Sequence, residues 1–186
     1  MSMRKLQISI ENVVASATLD QKIDLLSIMK VFRNVEYRPK QFPGLVFRLK
    51  RPKTATLIFG SGKMVCTGAK SEKQARGAVK KVVRELKNNG IIILGKPEIV
   101  IQNIVASANL GGNIDLEMAA NTMNNVMYEP EQFPGLIYRM TEPKVVMLLF
   151  ASGKLVCTGA KHERMVREDV EKLHATVFDI QGNRVK

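Results

Sequence analysis

The 186-residue sequence has only two cysteines and no apolar run of the roughly 18 to 20 residues that a membrane-spanning helix requires. The first residues also lack the long apolar segment of a signal peptide, so we expect a soluble, intracellular protein. Cys66 and Cys157 have no nearby partners in sequence, which suits a reducing compartment and gives no metal-ligand spacing. We therefore expect no disulfide, no metal site and no cofactor.

The sequence also offers little for catalysis. His162 and His174 fall on a predicted helix, and no carboxylate pair accompanies them in a repeated motif. The segment GSGK at residues 60–63 shares letters with a phosphate-binding P-loop. That motif requires a glycine where Leu57 stands and a Ser or Thr where Met64 stands. We predict that the protein is not an enzyme and has no catalytic residues.

Acidic residues are scarce in the first half of the chain. Residues 1–95 carry nineteen Lys and Arg against six Asp and Glu, a balance of +13. Residues 96–186 carry ten against eleven, a balance of −1. A basic excess of this size favours a polyanionic partner, although a thermostable soluble protein can show it as well.

One segment of twelve residues occurs twice, as FGSGKMVCTGAK at residues 59–70 and FASGKLVCTGAK at residues 150–161. The pentapeptide QFPGL, at residues 41–45 and 132–136, has the same offset of 91 residues. Aligning residues 8–87 with 99–178 gives 38 identities in 80 positions. We infer a duplication, with a first repeat at residues 1–95 and a second at residues 96–186. The two should fold alike and form a single unit with pseudo-twofold symmetry.

Each repeat predicts the same succession of elements. A strand over residues 8–19 precedes a helix that runs from Asp20, as N-cap, to about Asn34. Ser71 then opens a long helix with Gln74 in the capping-box position. Between the helices, turn signals separate short strands at residues 35–37, 45–50, 54–60 and 64–68. The apolar faces of the first helix of each repeat are Leu25, Ile28, Met29 and Phe32, and Leu116, Ala119, Ala120 and Met123.

The strands are apolar on both faces. Because side chains alternate along a strand, Ile58, Met64 and Cys66 should face the helices as core residues. Each repeat has only two helices, and one sheet face uses both. The opposite face is therefore an uncovered apolar surface, which marks a binding site; burial by a second sheet or by self-association is the alternative. Its predicted members are Asn12, Val14, Leu57, Phe59, Val65, Thr67, Asn103, Val105, Leu148, Phe150, Val156 and Thr158.

Aromatic and basic residues surround this surface. Phe42 and Phe133 lie in turns beside Pro-Gly, where we expect them to be exposed wedges. A charged rim around an apolar floor suits nucleic acid, with phosphates held at the edge. The predicted rim comprises Arg48, Lys53, Lys63 and Lys70, and Arg139, Lys144, Lys154 and Lys161.

The doubled NVVASA/NIVASA, QFPGL, F-x-SGK and VCTGAK blocks closely resemble the TATA-box-binding protein family over nearly the whole chain. The resemblance implies an α+β fold in which two direct repeats form one curved antiparallel sheet, a saddle, with helices on the convex face. It also implies a general transcription initiation factor that binds the DNA minor groove. The kink of about 80° is the value known for this family itself and does not come from this sequence.

The resemblance also implies roles for the predicted site residues. Phe42 with Phe59, and Phe133 with Phe150, would wedge into base steps at the two ends of the DNA site. The Asn and Thr pairs would donate hydrogen bonds to minor-groove acceptors near its middle. Val14, Leu57, Val65, Val105, Leu148 and Val156 would lie against sugars and base edges, and the rim cations would hold phosphates.

The two repeats differ where partners are expected. Arg38 and Lys40, before the first QFPGL, are replaced by Glu129 and Glu131 before the second. The resemblance implies that these two glutamates bind the B-type initiation factor, which together with RNA polymerase completes the expected partners. We expect an archaeal member in the cytoplasm at the nucleoid, or a nuclear protein if it is eukaryotic, and a possible homodimer without DNA. A saddle that grips protein or peptide, or a dimerising structural protein, is the alternative.

Overall fold

The computed structural model describes residues 6–182, which form ten strands and four helices. The first repeat contains β1 (Gln7–Thr18), α1 (Leu25–Val31), β2 (Val35–Tyr37), β3 (Leu45–Lys50), β4 (Lys53–Ile58), β5 (Lys63–Ala69) and α2 (Glu72–Asn88). The second contains β6 (Glu98–Asn109), α3 (Leu116–Thr122), β7 (Val126–Met127), β8 (Leu136–Met140), β9 (Val145–Leu149), β10 (Lys154–Ala160) and α4 (Glu163–Gly182). The strands form one antiparallel sheet in the order β2-β3-β4-β5-β1-β6-β10-β9-β8-β7. The predicted α+β fold of two repeats is confirmed.

Two compact units divide the described chain. One comprises residues 12–102, and the other comprises residues 6–11 together with residues 103–182. Each unit therefore holds most of one repeat and the start of the other repeat's first strand. The repeat boundary between residues 95 and 96 stays a prediction about ancestry.

The core of the unit formed by residues 12–102 lies between α2 and one face of its strands. The apolar residues of α2 recur at helical spacing, which predicts one buried face, and Ala75, Ala78, Val79, Val82, Val83 and Leu86 are all buried. All but Ala75 belong to one core cluster with Leu45, Ile58, Met64 and Cys66 of the sheet. Each buried Val or Leu contributes about 1.5 to 3 kcal/mol, so this contact is a main source of the unit's stability.

The capping box at the start of α2 is also present. The Ser71 hydroxyl accepts a hydrogen bond from the Gln74 N–H at 3.0 Å. In the standard motif the Gln74 side chain would accept from the N–H of the N-cap, Ser71. Here its Oε1 accepts from the N–H of the preceding residue, Lys70, at 2.7 Å.

Helix α1 starts later than predicted. Its N-cap is Asp24, whose carboxylate accepts from the Leu26 N–H at 3.1 Å, and not Asp20. The reason is tertiary: the N–H groups of Leu19 and Ile23 donate to the carbonyl oxygens of Gly62 and Gly60, both at 2.9 Å. These bonds hold the intervening residues along the β4–β5 turn, so no helix can begin there.

The short α1 and α3 bury fewer residues than expected. Helix α1 ends at Val31 and not near Asn34, and Met29 is 42% exposed although the periodicity placed it on the apolar face. In α3 only Leu116 and Ala119 are buried, whereas Ala120 and Met123 are half-buried. With seven residues each, these helices have room for two buried positions apiece.

The turn between β4 and β5 takes in residues predicted to be strand. The Phe59 N–H donates to the Lys63 carbonyl at 2.9 Å, and the Phe59 carbonyl accepts from the Gly62 N–H at 3.0 Å. Phe59 thus begins the turn instead of continuing the strand to residue 60. Phe150 makes the same two bonds in the second repeat, to Lys154 and Gly153.

The unit that contains residues 103–182 packs α4 on its strands in the same way. Val166, Val170, Leu173 and Val177 are buried, as their spacing predicts. Asp169 lies among them and is only 1% exposed, at the position where the first repeat has Ala78. Among residues 6–182, no helix combines the length and apolar character needed to cross a bilayer.

Candidate nucleic-acid interface

The sheet face opposite the helices forms an apolar floor in each unit. In residues 12–102, Val46 pairs with Leu57 and Leu57 with Val65, so the three lie in a row across neighbouring strands. All three are half-buried, whereas Ile58 and Cys66 on the helix side are completely buried. Val46 was not among the predicted site residues, although the alternation along β3 could have identified it.

The second unit repeats the floor with Ile137, Leu148 and Val156 in the corresponding row. Ile137, the counterpart of Val46, was likewise missed. Every predicted floor residue is half-buried: Asn12, Val14, Leu57, Phe59, Val65, Thr67, Asn103, Val105, Leu148, Phe150, Val156 and Thr158. The face is therefore not sealed within its own unit, as burial under a second sheet would have required.

Two phenylalanine pairs flank the floor. The rings of Phe42 and Phe59 lie edge to face, with centroids 5.8 Å apart and planes at 70°. Phe133 and Phe150 repeat the arrangement at 5.9 Å and 68°. Phe42 is 42% exposed and Phe133 is 37% exposed, so the predicted exposure of these two aromatic residues is confirmed.

A glycine lies against each pair of phenylalanine rings, where a side chain would not fit. The sequence analysis did not predict this role for Gly44 and Gly135. A Cβ atom on Gly44 would lie 2.7 Å from Phe42 Cε1 and 3.0 Å from Phe59 Cε1. On Gly135 it would lie 2.8 Å and 3.0 Å from the corresponding atoms of Phe133 and Phe150. The repeated Pro-Gly is thus required for space beneath the aromatic rings, in addition to its part in the turn.

An asparagine and a threonine form a hydrogen-bonded pair within each floor. Asn12 Nδ2 donates to Thr67 Oγ1 at 3.0 Å, and Asn12 Oδ1 accepts from the Gly68 N–H at 2.7 Å. In the second repeat, Asn103 Nδ2 donates to Thr158 Oγ1 at 3.2 Å and Asn103 Oδ1 accepts from the Gly159 N–H at 2.7 Å.

These pairs present donors to the floor. Each asparagine amide keeps one Nδ2 hydrogen beyond the bond to its threonine, and each threonine hydroxyl that accepts that bond keeps its own hydrogen. Each floor can therefore offer two hydrogen-bond donors amid apolar side chains.

The predicted basic rim is exposed in both units. By strand alternation, Arg48, Lys53 and Lys63 share the face of Val46 and Val65. Arg48 lies 3.9 Å from Glu36, an exposed contact of little strength, and Met127 replaces that glutamate in the second repeat. The exposed rim residues are Arg48, Lys53, Lys63, Lys70, Arg139, Lys144, Lys154 and Lys161.

The charged positions that differ between the repeats lie next to the exposed phenylalanines. Glu129 and Glu131 are exposed, and the Glu129 carbonyl accepts from the Phe133 N–H at 3.0 Å. In the first repeat the Arg38 carbonyl accepts from the Phe42 N–H at 2.9 Å. One turn geometry thus presents acidic side chains in one unit and basic side chains in the other.

The cysteines lie on the opposite side of the sheet. Cys66 and Cys157 are buried free thiols, and the prediction that Cys66 is a core residue is confirmed. Burial raises the pKa of Cys66, and burial together with the charge of Asp169 raises the pKa of Cys157 to about 12. Both thiols stay protonated near neutral pH. Across the described chain, no three His, Cys, Asp or Glu side chains are grouped as metal ligands.

Comparison with known proteins supports the interpretation of this sheet face as a nucleic-acid interface. A family model described as "Transcription factor TFIID (or TATA-binding protein, TBP)" matches residues 7–89 and again residues 98–180. Each match includes one phenylalanine pair, one Asn–Thr pair and one apolar row.

Individual relatives are similar over almost their whole length. The TATA-box-binding protein of Pyrodictium occultum is 60% identical over 176 residues, which cover 95% of this chain and 88% of that protein. That of Methanothermobacter thermautotrophicus is 53% identical over 178 residues, covering 96% and 98%. The solved structure "Methanococcus jannaschii TBP" superposes with a TM-score of 0.84 at 49% identity, covering 93% of this chain and 99% of that one.

Proposed function

Because this chain belongs to the TATA-binding protein family, we propose that it is a general transcription initiation factor that binds the TATA box through the DNA minor groove. The family consists of DNA-binding transcription factors, so the chain is not an enzyme. Its named relatives are archaeal, and we place the protein with the DNA, at the nucleoid of an archaeal cytoplasm.

The Asn–Thr pairs on the apolar floor are the observation that carries this proposal. An A·T pair presents only acceptors in the minor groove, adenine N3 and thymine O2, whereas guanine adds an amino group. A floor that presents hydrogen-bond donors, at Asn12 and Thr67 and again at Asn103 and Thr158, complements A·T pairs. Val65 and Leu57, with their counterparts, would contact sugars and base edges.

The phenylalanine pairs would act at the ends of the element. Phe42 and Phe133 are exposed beside Phe59 and Phe150, and this exposure supports a role in insertion between base steps. Apolar wedges partly unstack a step and kink the duplex, and TA steps unstack most readily. We propose that the protein bends its DNA in this way, with the rim cations on the phosphates.

We further propose that Glu129 and Glu131 form the docking point for a B-type initiation factor, which would in turn recruit RNA polymerase. Their exposure and their replacement of Arg38 and Lys40 support this assignment. Without DNA, the apolar floor would be available for a second copy of the chain, and we propose a homodimer as the resting form.

Salt dependence of duplex binding tests the proposal. The affinity for a labelled TATA-containing duplex should fall steeply between 50 and 300 mM salt, with a log–log slope of about −4 to −7 if half to all of the eight rim cations contact phosphate. Lys63→Gln and Lys154→Gln should each reduce the slope by about 1. Lys87→Gln, on the exposed side of α2, is the matched control and should leave it unchanged.

The alternative, a floor that grips protein or a second copy, gives a different result. Binding would then show little preference for the TATA duplex over a G·C-rich duplex of equal length, and the slope would be close to zero. Either result would overturn the proposal.

A further inference from the structure

A β-bulge lies beside each Asn–Thr pair. In the first repeat Val13 pairs with Ala69, but Ala15 pairs with Cys66, so β5 contains one residue more than β1 over this stretch. In the second repeat Ile104 pairs with Ala160 and Ala106 pairs with Cys157, which gives the same irregularity. The extra residue in each case falls at Thr67–Gly68 or at Thr158–Gly159.

The bulge leaves a backbone N–H for the asparagine. A bulged residue is left without its regular ladder partner. The N–H of Gly68 instead donates to Asn12 Oδ1, and the N–H of Gly159 donates to Asn103 Oδ1, each at 2.7 Å. These are charge-neutral bonds at the short end of the usual N–H···O range.

This bond alone decides which way the asparagine amide faces. Its other partner, the threonine hydroxyl, can accept from Nδ2 or donate to Oδ1, and both contacts are within reach at 3.0 and 3.4 Å. The Gly68 N–H can only donate. If the Asn12 amide flipped, two donors would face each other at 2.7 Å and the bulge N–H would lose its acceptor.

Only glycine can hold this backbone. Gly68 has φ = 101° and Gly159 has φ = 104°, in the left-handed region that L side chains rarely adopt. A Cβ atom at either position would also lie 3.1 Å from a carbonyl oxygen, that of Lys53 or Lys144. A side chain there would shift the bulge and with it the donor.

We propose that Gly68 and Gly159 are positioning residues that lock the amides of Asn12 and Asn103 with Nδ2 toward DNA, so that neither amide can turn its oxygen to accept from the guanine amino group. The proposal rests on the DNA-binding function given above and adds a mechanism for rejecting G·C pairs. A free asparagine could read either kind of pair by flipping, whereas the locked one reads acceptors only.

Hydrogen exchange tests the lock without DNA. Asn12→Ala removes the acceptor, so the Gly68 amide should exchange faster by on the order of tenfold. Asn12→Asp keeps an acceptor oxygen, and the Gly68 amide should remain protected. The Gly159 amide is the internal control and should not change. Equal protection of Gly68 in the wild type and in Asn12→Ala would overturn the lock, as would faster exchange along the whole of β5.

Base substitution at the centre of the element tests the selectivity. The wild type should bind duplexes with central T·A and central inosine·C similarly, because inosine lacks the amino group, and should bind central G·C weakly. Gly68→Ala should shrink the ratio of inosine·C to G·C affinity by on the order of tenfold. Gly159→Ala repeats the test in the other repeat, and Gly77→Ala, where an added Cβ meets nothing within 4 Å, is the control.

The two proposals fail in different ways. If the wild type shows no preference for T·A over G·C, the proposed DNA function is wrong. If the preference is present but Gly68→Ala and Gly159→Ala, both folded by thermal unfolding, retain the full inosine·C to G·C ratio, the lock is wrong. In that case the guanine amino group would be rejected by steric contact with the floor.

Discussion

Single residues show how the two repeats have diverged beneath a shared floor. Asp169 is 1% exposed on α4, and its Oδ2 has no hydrogen-bond partner in the described chain, whereas Ala78 fills the same place on α2. Burial raises the pKa of Asp169 above its ordinary 3.8, although Lys172 partly offsets the effect. A buried carboxylate without a full set of partners destabilises its unit.

Replacing this carboxyl should stabilise the protein. Asp169→Ala restores the residue that the first repeat uses, and it should raise the free energy of unfolding at pH 7 by about 1 to 3 kcal/mol, the cost of an unsatisfied buried polar group. Chemical denaturation with intrinsic tyrosine fluorescence or circular dichroism measures the change. Ala78→Ser, a small polar change at the equivalent position, is the control that should not stabilise.

The gain should depend on pH. Because the folded-state pKa is raised, the folded protein binds the proton more tightly than the unfolded chain. The penalty is therefore absent below about pH 3.8 and grows as the pH rises through the range above that value. A gain from Asp169→Ala that is as large at pH 3.5 as at pH 7 would show that ionisation is not its cause.

Secondary-structure elements were predicted well where the signal is local and poorly where a distant segment sets the boundary. The face of α2 follows from the spacing of Val79, Val82 and Leu86, and the structure agrees. The start of α1 cannot be predicted from local sequence, because Asp20 is as good an N-cap by residue type as Asp24. Backbone bonds to Gly60 and Gly62, some forty residues later, decide between them.

The β4–β5 turn is the element that places Phe59, the wedge proposed above, against Phe42. Phe59 was predicted to lie on the strand face, yet its backbone begins the turn, and its ring packs on Phe42 above Gly44. Periodicity of two within the strand cannot reveal this, since the ring partner lies in another loop.

Replacing Phe59 should reduce the DNA bend proposed above. With Phe59→Ala we expect the bend angle, measured by energy transfer between dyes at the duplex ends, to fall by tens of degrees, since inserted wedges kink DNA by about 20 to 90°; that range includes this family's own members. Phe178→Ala is the matched control, because Phe178 is 66% exposed on α4, on the helix side of its unit. An unchanged angle with Phe59→Ala would refute the wedge.

At the scale of the whole molecule, charge distinguishes two repeats that share one fold. The first 95 residues carry nineteen basic against six acidic residues, and the remainder carries ten against eleven. The difference extends to equivalent loop positions, with Arg38 and Lys40 against Glu129 and Glu131. Equivalent surfaces with opposite charge give a partner a means of telling the two repeats apart.

Reversing the charges of Glu129 and Glu131 should weaken binding of the proposed partner. Glu129→Arg with Glu131→Lys should abolish the slower gel band that a B-type initiation factor adds to the protein–DNA complex, because like charges repel across an interface. The factor's affinity should fall by tenfold or more, while DNA binding alone persists. Arg38→Glu with Lys40→Glu is the control in the first repeat. A factor that binds both double variants equally well would contradict the assignment.

The sequence by itself determined the duplication, the α+β fold and all of the floor residues except Val46 and Ile137. These follow from identities at a fixed offset and from alternation within single strands, which are properties of short segments. The tertiary structure decided where α1 begins, why Gly44 and Gly135 lie under the rings, and how Asn12 and Asn103 face. Each of these depends on a contact between residues far apart in the chain, such as Asn12 with Gly68, where one backbone N–H fixes an amide that the sequence shows only as an asparagine.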